Sequence, residues 1–450
     1  MNAMTIVRGI LGILLILGIA FLFSRNKRKI SWRLVGGGLL IQIIFAIFII
    51  HGETLRSWFF ILGWPKDIVN WLGGAVVKLL QFITAGSEFV FGSLAISAGN
   101  EGSLGFFFAF QVLPTIVFFA ALTAVLYYLG VLQLVVKGMA YVMARLLGTS
   151  GAESLSNSAN IFIGQTEAPI LIRPYIGTMT RSELLTIMVG GMATVAGGVM
   201  LSYIQLLSSA WAAAQNISLA QAQLKFAVHL ITASVMAAPA SLVISKMLYP
   251  ESEEPQTKGT VKIEVEKKAS NLIEAAANGT ADGLKLALNV GAMLIVFIAF
   301  VYLINYVFGA VGDLVGINTW LIAQFGHPLS MELILGVVLR FLGIGIGVPA
   351  VDALQFGSLF GTKVVLNEFV AYVNLVELIK QGVLSEKGVI MATYALCGFA
   401  NFSSIGIQLG GIGPMAPERR KDIAALGLRA VLGGSLVTLL TATLAGILLG

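Results

Sequence analysis

Charge is what this chain has least of. Only 11% of its 450 residues are Asp, Glu, Lys or Arg, against 57% hydrophobic residues and a mean hydropathy of +0.92. Soluble domains carry roughly 25% charged residues. No stretch here is long and polar enough to be one, so a soluble enzyme is excluded and a polytopic membrane protein is expected. A single cysteine, Cys397, excludes a disulfide framework, and three scattered histidines, His51, His229 and His327, leave no Cys/His metal cluster. All four are expected to be structural. The net charge of +6 does not indicate a nucleic-acid partner. The basic residues sit at the ends of apolar runs, as the positive-inside rule requires.

The apolar runs are therefore counted as membrane spans. The first, about Met4 to Phe23, is followed by Arg25, Lys27, Arg28 and Lys29. That order is the reverse of a cleavable signal. A retained helix is expected, with its N-terminus outside and Arg25–Arg33 in the cytoplasm. Further spans are expected near Leu34–Ile50, Leu104–Gly130, Leu184–Leu207, Leu224–Leu248, Leu286–Phe308, Gly388–Leu409 and Leu426–Leu449, eight in all, with both termini outside. Thr54–Ile83 mixes Trp, Lys and Asp with apolar positions and reads as interfacial, as do the segments around Lys137 and from Asn271. Pro250–Ser270, with five acidic and four basic residues, reads as a cytoplasmic loop.

Two stretches are too broken to be simple spans. Gly151–Met179 holds Ser, Asn, Gln, Thr, two prolines and the acid Glu167. Ser330–Ile379 holds Gly343-Ile-Gly-Ile-Gly347, Pro349, Asp352, Lys363 and Asn367-Glu368. Both read as re-entrant hairpins, entering from opposite sides. Each is followed by two spans, and the first of those carries a polar, small-residue break: Thr194-Val-Ala-Gly-Gly198 in one half, Asn401-Phe-Ser-Ser404 in the other. Hairpin, broken span, span, repeated with reversed entry, is the pattern of an inverted repeat with a binding site at the repeat interface. The expected fold is all-α, with eight spans and two opposed hairpins. Its divisions are scaffold helices in 1–130, a first transport half in 131–248, a loop and scaffold span in 249–329, and a second transport half in 330–450.

A carboxylate at bilayer depth costs roughly 3 kcal/mol on the lenient insertion scale, so Glu167 and Glu368 demand a use. Carboxylates, the amides Gln165, Asn367 and Asn401 and the hydroxyls Thr166, Ser403 and Ser404 suit a polyhydroxylated solute. Phe399 and Val199 offer an apolar face to a flat ring. With no cationic anchor in the motifs, phosphates and carboxylates are poor candidates. Blander readings stand beside this one: Glu167 paired with Arg173, Glu368 paired with Lys363, Asn160 as a hairpin cap, Phe399 as packing, and Asn401, Ser403 and Ser404 as interhelical glue. Gly343–Gly347 lacks the strand–turn–helix setting of a nucleotide loop. Gly148-Thr-Ser-Gly151 with His229 matches an intramembrane serine protease motif, but not its topology. A passive channel would need polarity along the whole pore, whereas here it clusters at one depth.

Gly164-Gln-Thr-Glu-Ala168, Asn367-Glu-Phe-Val-Ala-Tyr372 and Cys397-Gly-Phe-Ala-Asn-Phe-Ser-Ser404 resemble, in order and spacing, the signature segments of concentrative nucleoside transporters. The resemblance covers nearly the whole chain. It implies cation-driven symport of nucleosides (uridine, cytidine or adenosine type) by a bacterial inner-membrane homotrimer with an elevator-type cycle, no catalytic step and no cofactor. Gly164, Gln165, Thr166 and Glu167 would face the nucleobase beside Val199. Glu368, Asn401 and Ser404 would hold the ribose, with Phe399 near the base. The co-transported sodium would sit at Asn160 and Thr194 with carbonyls near Val189 and Val195. Thr194 stands where the family often has Ser. A proton is the alternative coupling ion.

Overall fold

A computed structural model describes residues 3–97, 102–258 and 269–449, which are helical with no strand among them. The first part of the chain forms α1 (Ala3–Leu22), α2 (Trp32–Ile50), α3 (Trp64–Phe91), α4 (Leu113–Tyr128) and α5 (Val131–Leu147). The first hairpin then descends as α6 (Gly151–Ala159), turns through Asn160–Glu167 and returns through the short helices Ala168–Ile172 and Arg173–Ile176. α7 (Arg181–Ala193), α8 (Gly197–Gln215) and α9 (Leu219–Leu248) complete that half. A single long helix, α10 (Leu272–Leu314), leads to the second half: α11 (Met331–Gly345), α12 (Ala353–Val365), α13 (Glu368–Lys380), α14 (Glu386–Leu396), α15 (Phe402–Gly411) and α16 (Arg420–Leu448).

The halves repeat element for element. An amphipathic helix (α5 or α11) precedes a hairpin, a span broken in the middle (α7/α8 or α14/α15) and an unbroken span (α9 or α16). Polar caps start the key pieces. Ser150 and Glu153 form a capping box on α6, Thr180 and Glu183 another on α7, and Asn367 and Asn401 cap α13 and α15. The ends of a half-helix inside the bundle cannot be left to water, so the caps satisfy them.

Burial separates two populations. The hydrophobic window of α7/α8 is 94% buried and that of α16 89%, whereas α10 is 17% buried and α4 22%. The inner helices hold the breaks; the outer ones leave most of their apolar windows exposed.

Three expectations on element boundaries are corrected. The interruption expected over 54–83 is confined to Gly52–Trp58 and Phe60–Gly63, and from Trp64 one 28-residue helix runs to Phe91. Pro65 sits at the start of α3, where its missing N–H costs nothing, and Lys66 and Asp67 fall in the first turn. The amphipathic segment from Asn271 is not separate from the span at 286–308: both belong to the 43-residue α10. No proline interrupts it, and at 1.5 Å per residue it is about 64 Å long. The arms of the second hairpin are α12 and α13, meeting at Leu366–Asn367. The Gly343–Gly347 segment instead ends α11, where Gly343 lets the helix pack on Phe356 and Gly347 turns at φ +94°. Of the expected polar loop, residues 259–268 lie outside the described residues.

Candidate functional site

The breaks create the site. α7 ends at Thr194, and the chain stays extended through Ala196 before α8 begins. α14 ends at Cys397, and the chain turns at Gly398 with φ +145°. A Cβ on Gly398 would lie 2.8 Å from the carbonyl oxygen of Ala193, so only glycine lets the two breaks touch. The first hairpin leans on the same point, since Gly197 N–H donates to the carbonyl of Phe162 at 3.2 Å.

Glu368 opens α13, in the first turn where a helix favours an acid. Its carboxylate accepts from the Tyr203 hydroxyl of α8 at 3.1 Å and from Asn401 Nδ2 at 2.9 Å, and the residue is only 5% exposed. Tyr203 is fixed by stacking on Tyr372 at 4.2 Å and by an edge contact with Phe369. Asn401 Oδ1 accepts from Ser404 N–H at 2.9 Å and from the Ser403 hydroxyl at 2.7 Å. Gln165 Nε2 reaches the Ser404 hydroxyl at 3.4 Å, while Gln165 Oε1 accepts from Gln408 Nε2 at 3.1 Å; Gln408 also donates to the Met188 carbonyl at 2.9 Å. A continuous polar chain thus runs from the second hairpin through the start of α15 to the first hairpin.

Beside it lies a cavity of about 290 Å³ between the first hairpin, the start of α8 and the outer helices α4 and α10. Phe162, Gly164 and Glu167 of the hairpin and Val199 of α8 line it, together with Phe119 of α4 and Asp282 of α10. Glu167 is exposed and folds back over Gly164. Glu368, Asn401 and Phe399 do not line this cavity. The two motif acids therefore serve neighbouring compartments: one open, one closed by its own hydrogen bonds. Thr166 is half-buried against Gly411, and Phe399 is half-buried with its carbonyl accepting from Asn401 N–H at 2.9 Å.

At the tip of the first hairpin, Asn160 is wholly buried and neither of its side-chain polar atoms has a partner. An unpaired buried polar atom costs about 1–3 kcal/mol, so the site asks for a ligand there. Thr194, at the break, turns its hydroxyl to the Gly190 carbonyl at 2.9 Å. Val189 and Val195, on either side of it in sequence, are fully buried.

Comparison with known proteins agrees with these motifs. A family model described as the C-terminus of Na+ dependent nucleoside transporters matches residues 229–446, the corresponding N-terminus model matches 11–94, and a "Gate" nucleoside-recognition model matches 109–210. The chain is 42% identical to an uncharacterized transporter of Haemophilus influenzae, across 99% of both chains. It is 39% identical to sodium/nucleoside cotransporter 1 of Mus musculus over 97% of this chain and 63% of that one. The chain belongs to the concentrative nucleoside transporters. Among solved structures, CNTnw in an inward-facing, substrate-bound state matches it with a TM-score of 0.85 at 38% identity, covering 100% of this chain and 99% of that one. The matching family models describe sodium-dependent nucleoside transporters, not enzymes.

Within this transporter the blander readings divide. Glu167 makes no ion pair with Arg173, and Glu368 makes none with Lys363, among the described residues. Lys363 instead donates to the Ala395 carbonyl and the Thr438 hydroxyl. Ser150 of the protease-like motif is spent as the α6 cap, while His229 pairs with the Tyr394 hydroxyl at 3.3 Å. Among the described residues no group of three His, Cys, Asp or Glu could hold a metal.

Sequence reasoning missed Tyr203 and Gln408; Tyr372 stood only as the end of a signature segment, and Lys363 only as a partner for Glu368. Gln408 was the legible one: an amide four residues beyond Ser404, one helical turn on along the same face. Tyr203 stands in the same relation to Val199.

Proposed function

We propose that the protein is a secondary-active symporter that carries nucleosides into the cell on a sodium gradient. The observation that carries this reading is the polar chain from Glu368 through Asn401, Ser404 and Gln165 to Gln408, which joins both hairpins at the point where both spans break. In the proposed cycle a nucleoside enters between the open cavity and this chain. Its ribose hydroxyls donate to Glu368, with Asn401 and Ser404 beside them. Gly164, Gln165, Thr166 and Glu167 address the base edge, and Val199 and Phe399 flank the ring.

Sodium, as cargo, takes the unpaired oxygen of Asn160 together with Thr194 and the carbonyls near Val189 and Val195. Oxygen donors at a helix break suit a hard monovalent cation. One such charge moved across about 100 mV supplies roughly 2.3 kcal/mol. At about 1.4 kcal/mol per tenfold, that supports roughly fifty-fold accumulation of a neutral solute.

The contrast in burial supports an elevator-type division. The inner elements of 131–248 and 330–450 would move as a body against scaffold helices from 1–130 and 249–329, within a homotrimer. Placement in a bacterial inner membrane with both termini outside follows from the basic clusters at 25–33 and 418–422. It also requires α3 to lie along the outer surface. The buried stripe Val69, Gly73, Leu80, Ile83 and Ser87, set against exposed Trp71, Phe82 and Phe89, supports that placement.

The test is labelled-uridine uptake into proteoliposomes under an inward sodium gradient, an inward proton gradient, or neither. Accumulation with sodium alone, abolished by Asn160→Ala, is the expected result. Proton-driven accumulation would move the coupling to another group, and uptake that only equilibrates would indicate a facilitator.

A further inference from the structure

Asp282 of α10 lines the same cavity as Gly164, Glu167 and Val199, yet the nucleoside and cation sites leave it unused. The cavity runs along α4 from Ile116 to Tyr127, three helical turns or about 16 Å. Its α10 side is formed by Ala275, Asn278, Gly279, Asp282 and Leu286, spaced as one face of a helix. Thr123 of α4 adds a hydroxyl to the same lining. Among the described residues, the side chains of Thr123, Glu167, Asn278 and Asp282 form no hydrogen bond or ion pair. Lys285, three residues on, neither pairs with Asp282 nor lines the cavity. An ionisable residue in an apolar helix is costly and is retained for a use.

Packing fixes the position of these groups. Gly279 and Gly283, four apart on one stripe, bring α10 against the backbone of α4. A Cβ on Gly279 would lie 2.8 Å from the Ala120 carbonyl oxygen, and one on Gly283 2.8 Å from Val117 Cα. The antiparallel register set by those contacts places Asn278 level with Thr123. Asp282 lies one turn farther from the loop, level with Phe119. The Phe119 ring leaves no room for a Cβ on Gly197, where α8 begins. Asp282 therefore stands at the depth of the first break. At the loop end, the Tyr128 hydroxyl donates to the Ser270 carbonyl at 3.3 Å and ties α4 to the start of α10.

We propose that Asp282, with Asn278 and Thr123, is a release-side contact for the nucleoside, carried on the outer helices and not on the hairpins. Asp282 accepts from ribose hydroxyls or base N–H groups, and the amide and hydroxyl beside it can donate or accept. Glu167 lines the same space, so a solute in the cavity meets groups from the hairpin and from α10 together. The hairpin arm α6 is buried throughout, whereas α4 and α10 are the exposed helices. As the inner body moves in the proposed cycle, the hairpin keeps its hold on the nucleoside and the fixed α10 does not. The Asp282 contact thus exists only with the cavity open, and a contact made in one state alone favours that state. It acts on release, not on capture. The inference rests on the nucleoside reading of the cavity, and the experiment separates the two.

Uridine exchange is measured in right-side-out and inside-out membrane vesicles for wild type, Asp282→Ala, Asp282→Asn and Lys285→Ala. Asp282 is exposed and bonded to no described residue, so both of its substitutions keep the fold. Loss of a hydrogen bond to a charged acceptor should raise half-saturating uridine about tenfold in Asp282→Ala. The rise is expected only at the face where α4 ends and α10 begins, the other staying within about twofold of wild type. Asp282→Asn should move the same face by less, and Lys285→Ala should move neither. A shift at both faces, at the other face alone or at neither overturns the Asp282 proposal and leaves the nucleoside site standing. An equal shift in Lys285→Ala, whose charge sits outside the cavity, overturns it too. Wild type that exchanges no uridine overturns the nucleoside reading and the inference with it.

Discussion

Replacing Glu368 by Gln changes almost nothing in the empty site and much in the occupied one. Gln can turn its carbonyl toward Asn401 Nδ2 and its NH₂ toward Tyr203, whose hydroxyl rotates to accept. Both bonds at 2.9 and 3.1 Å then survive in neutral form, and the fold is kept. The loss falls on the nucleoside. Two ribose hydroxyls that would donate to a carboxylate now meet an amide with one acceptor. Hydrogen bonds to charged groups contribute about 1.5–3 kcal/mol against about 1 for neutral ones. The difference over two bonds is roughly 3 kcal/mol, or about a hundred-fold in uptake efficiency at 1.4 kcal/mol per tenfold. Initial uridine uptake rates over a concentration series give that ratio, with Ser403→Ala as the comparison. Ser403 touches Asn401 Oδ1, which keeps Ser404 N–H as a second donor, so its loss should cost far less. A second reading comes from 3′-deoxyuridine. Wild type should reject it, and Glu368→Gln should discriminate much less, because the bond being tested is already weakened. Uptake by Glu368→Gln within about threefold of wild type, well under the 1.4 kcal/mol that marks a tenfold change, would refute the ribose assignment.

Tyr203→Phe removes one of the two donors that hold Glu368 while keeping the stack on Tyr372; uptake efficiency should fall about five-fold, corresponding to about 1 kcal/mol, with unchanged expression. Gly398→Ala forces a Cβ to within 2.8 Å of a backbone carbonyl in a left-handed conformation, and should destabilise the protein by about 2–4 kcal/mol, seen as a lowered unfolding temperature or failed expression. Lys78 lies at the middle of α3 and is exposed. In a Cys397→Ser background, Lys78→Cys should react with a membrane-impermeant maleimide from outside intact cells; if α3 crosses the bilayer, that position is shielded at its centre and will not react.

The general architecture was legible because its signals are long. Twenty-residue apolar runs, basic clusters at their ends and paired polar interruptions can all be read along the chain. Asn160, Gln165, Glu368, Asn401 and Ser404 were legible for the complementary reason, each being a polar residue where lipid-depth sequence permits few. Boundaries were harder. Thr54–Ile83 looked broken because Trp, Lys and Asp are mixed with its apolar positions, whereas Lys66 and Asp67 fall in the first turn of α3. The second hairpin was drawn too wide because Gly343–Gly347 suggested an arm. Those glycines serve a tight α11–α12 contact that periodicity cannot distinguish from a re-entrant turn. Tyr203 was invisible for a third reason. An aromatic in a span is nearly always packing, and only the three-dimensional pairing of α8 with α13 turns its hydroxyl toward a carboxylate.

The opposed breaks also explain why a site rich in carboxylate and amide groups needs no cationic side chain aimed at the substrate. Gly398 brings the second break against the carbonyl ends of α7 at Met192 and Ala193, while the N-termini of α8 and α15 start within a few residues of the same point. Half-helix N-termini carry partial positive charge and C-termini partial negative charge. Two of each, related by an inverted repeat, nearly cancel at the centre and leave local poles on either side. A neutral, many-donored solute suits the centre, and a small cation suits a carbonyl pole. On the second half the Ala395 carbonyl accepts from the Lys363 side chain, and on the first the side chain of Asn160 has no partner.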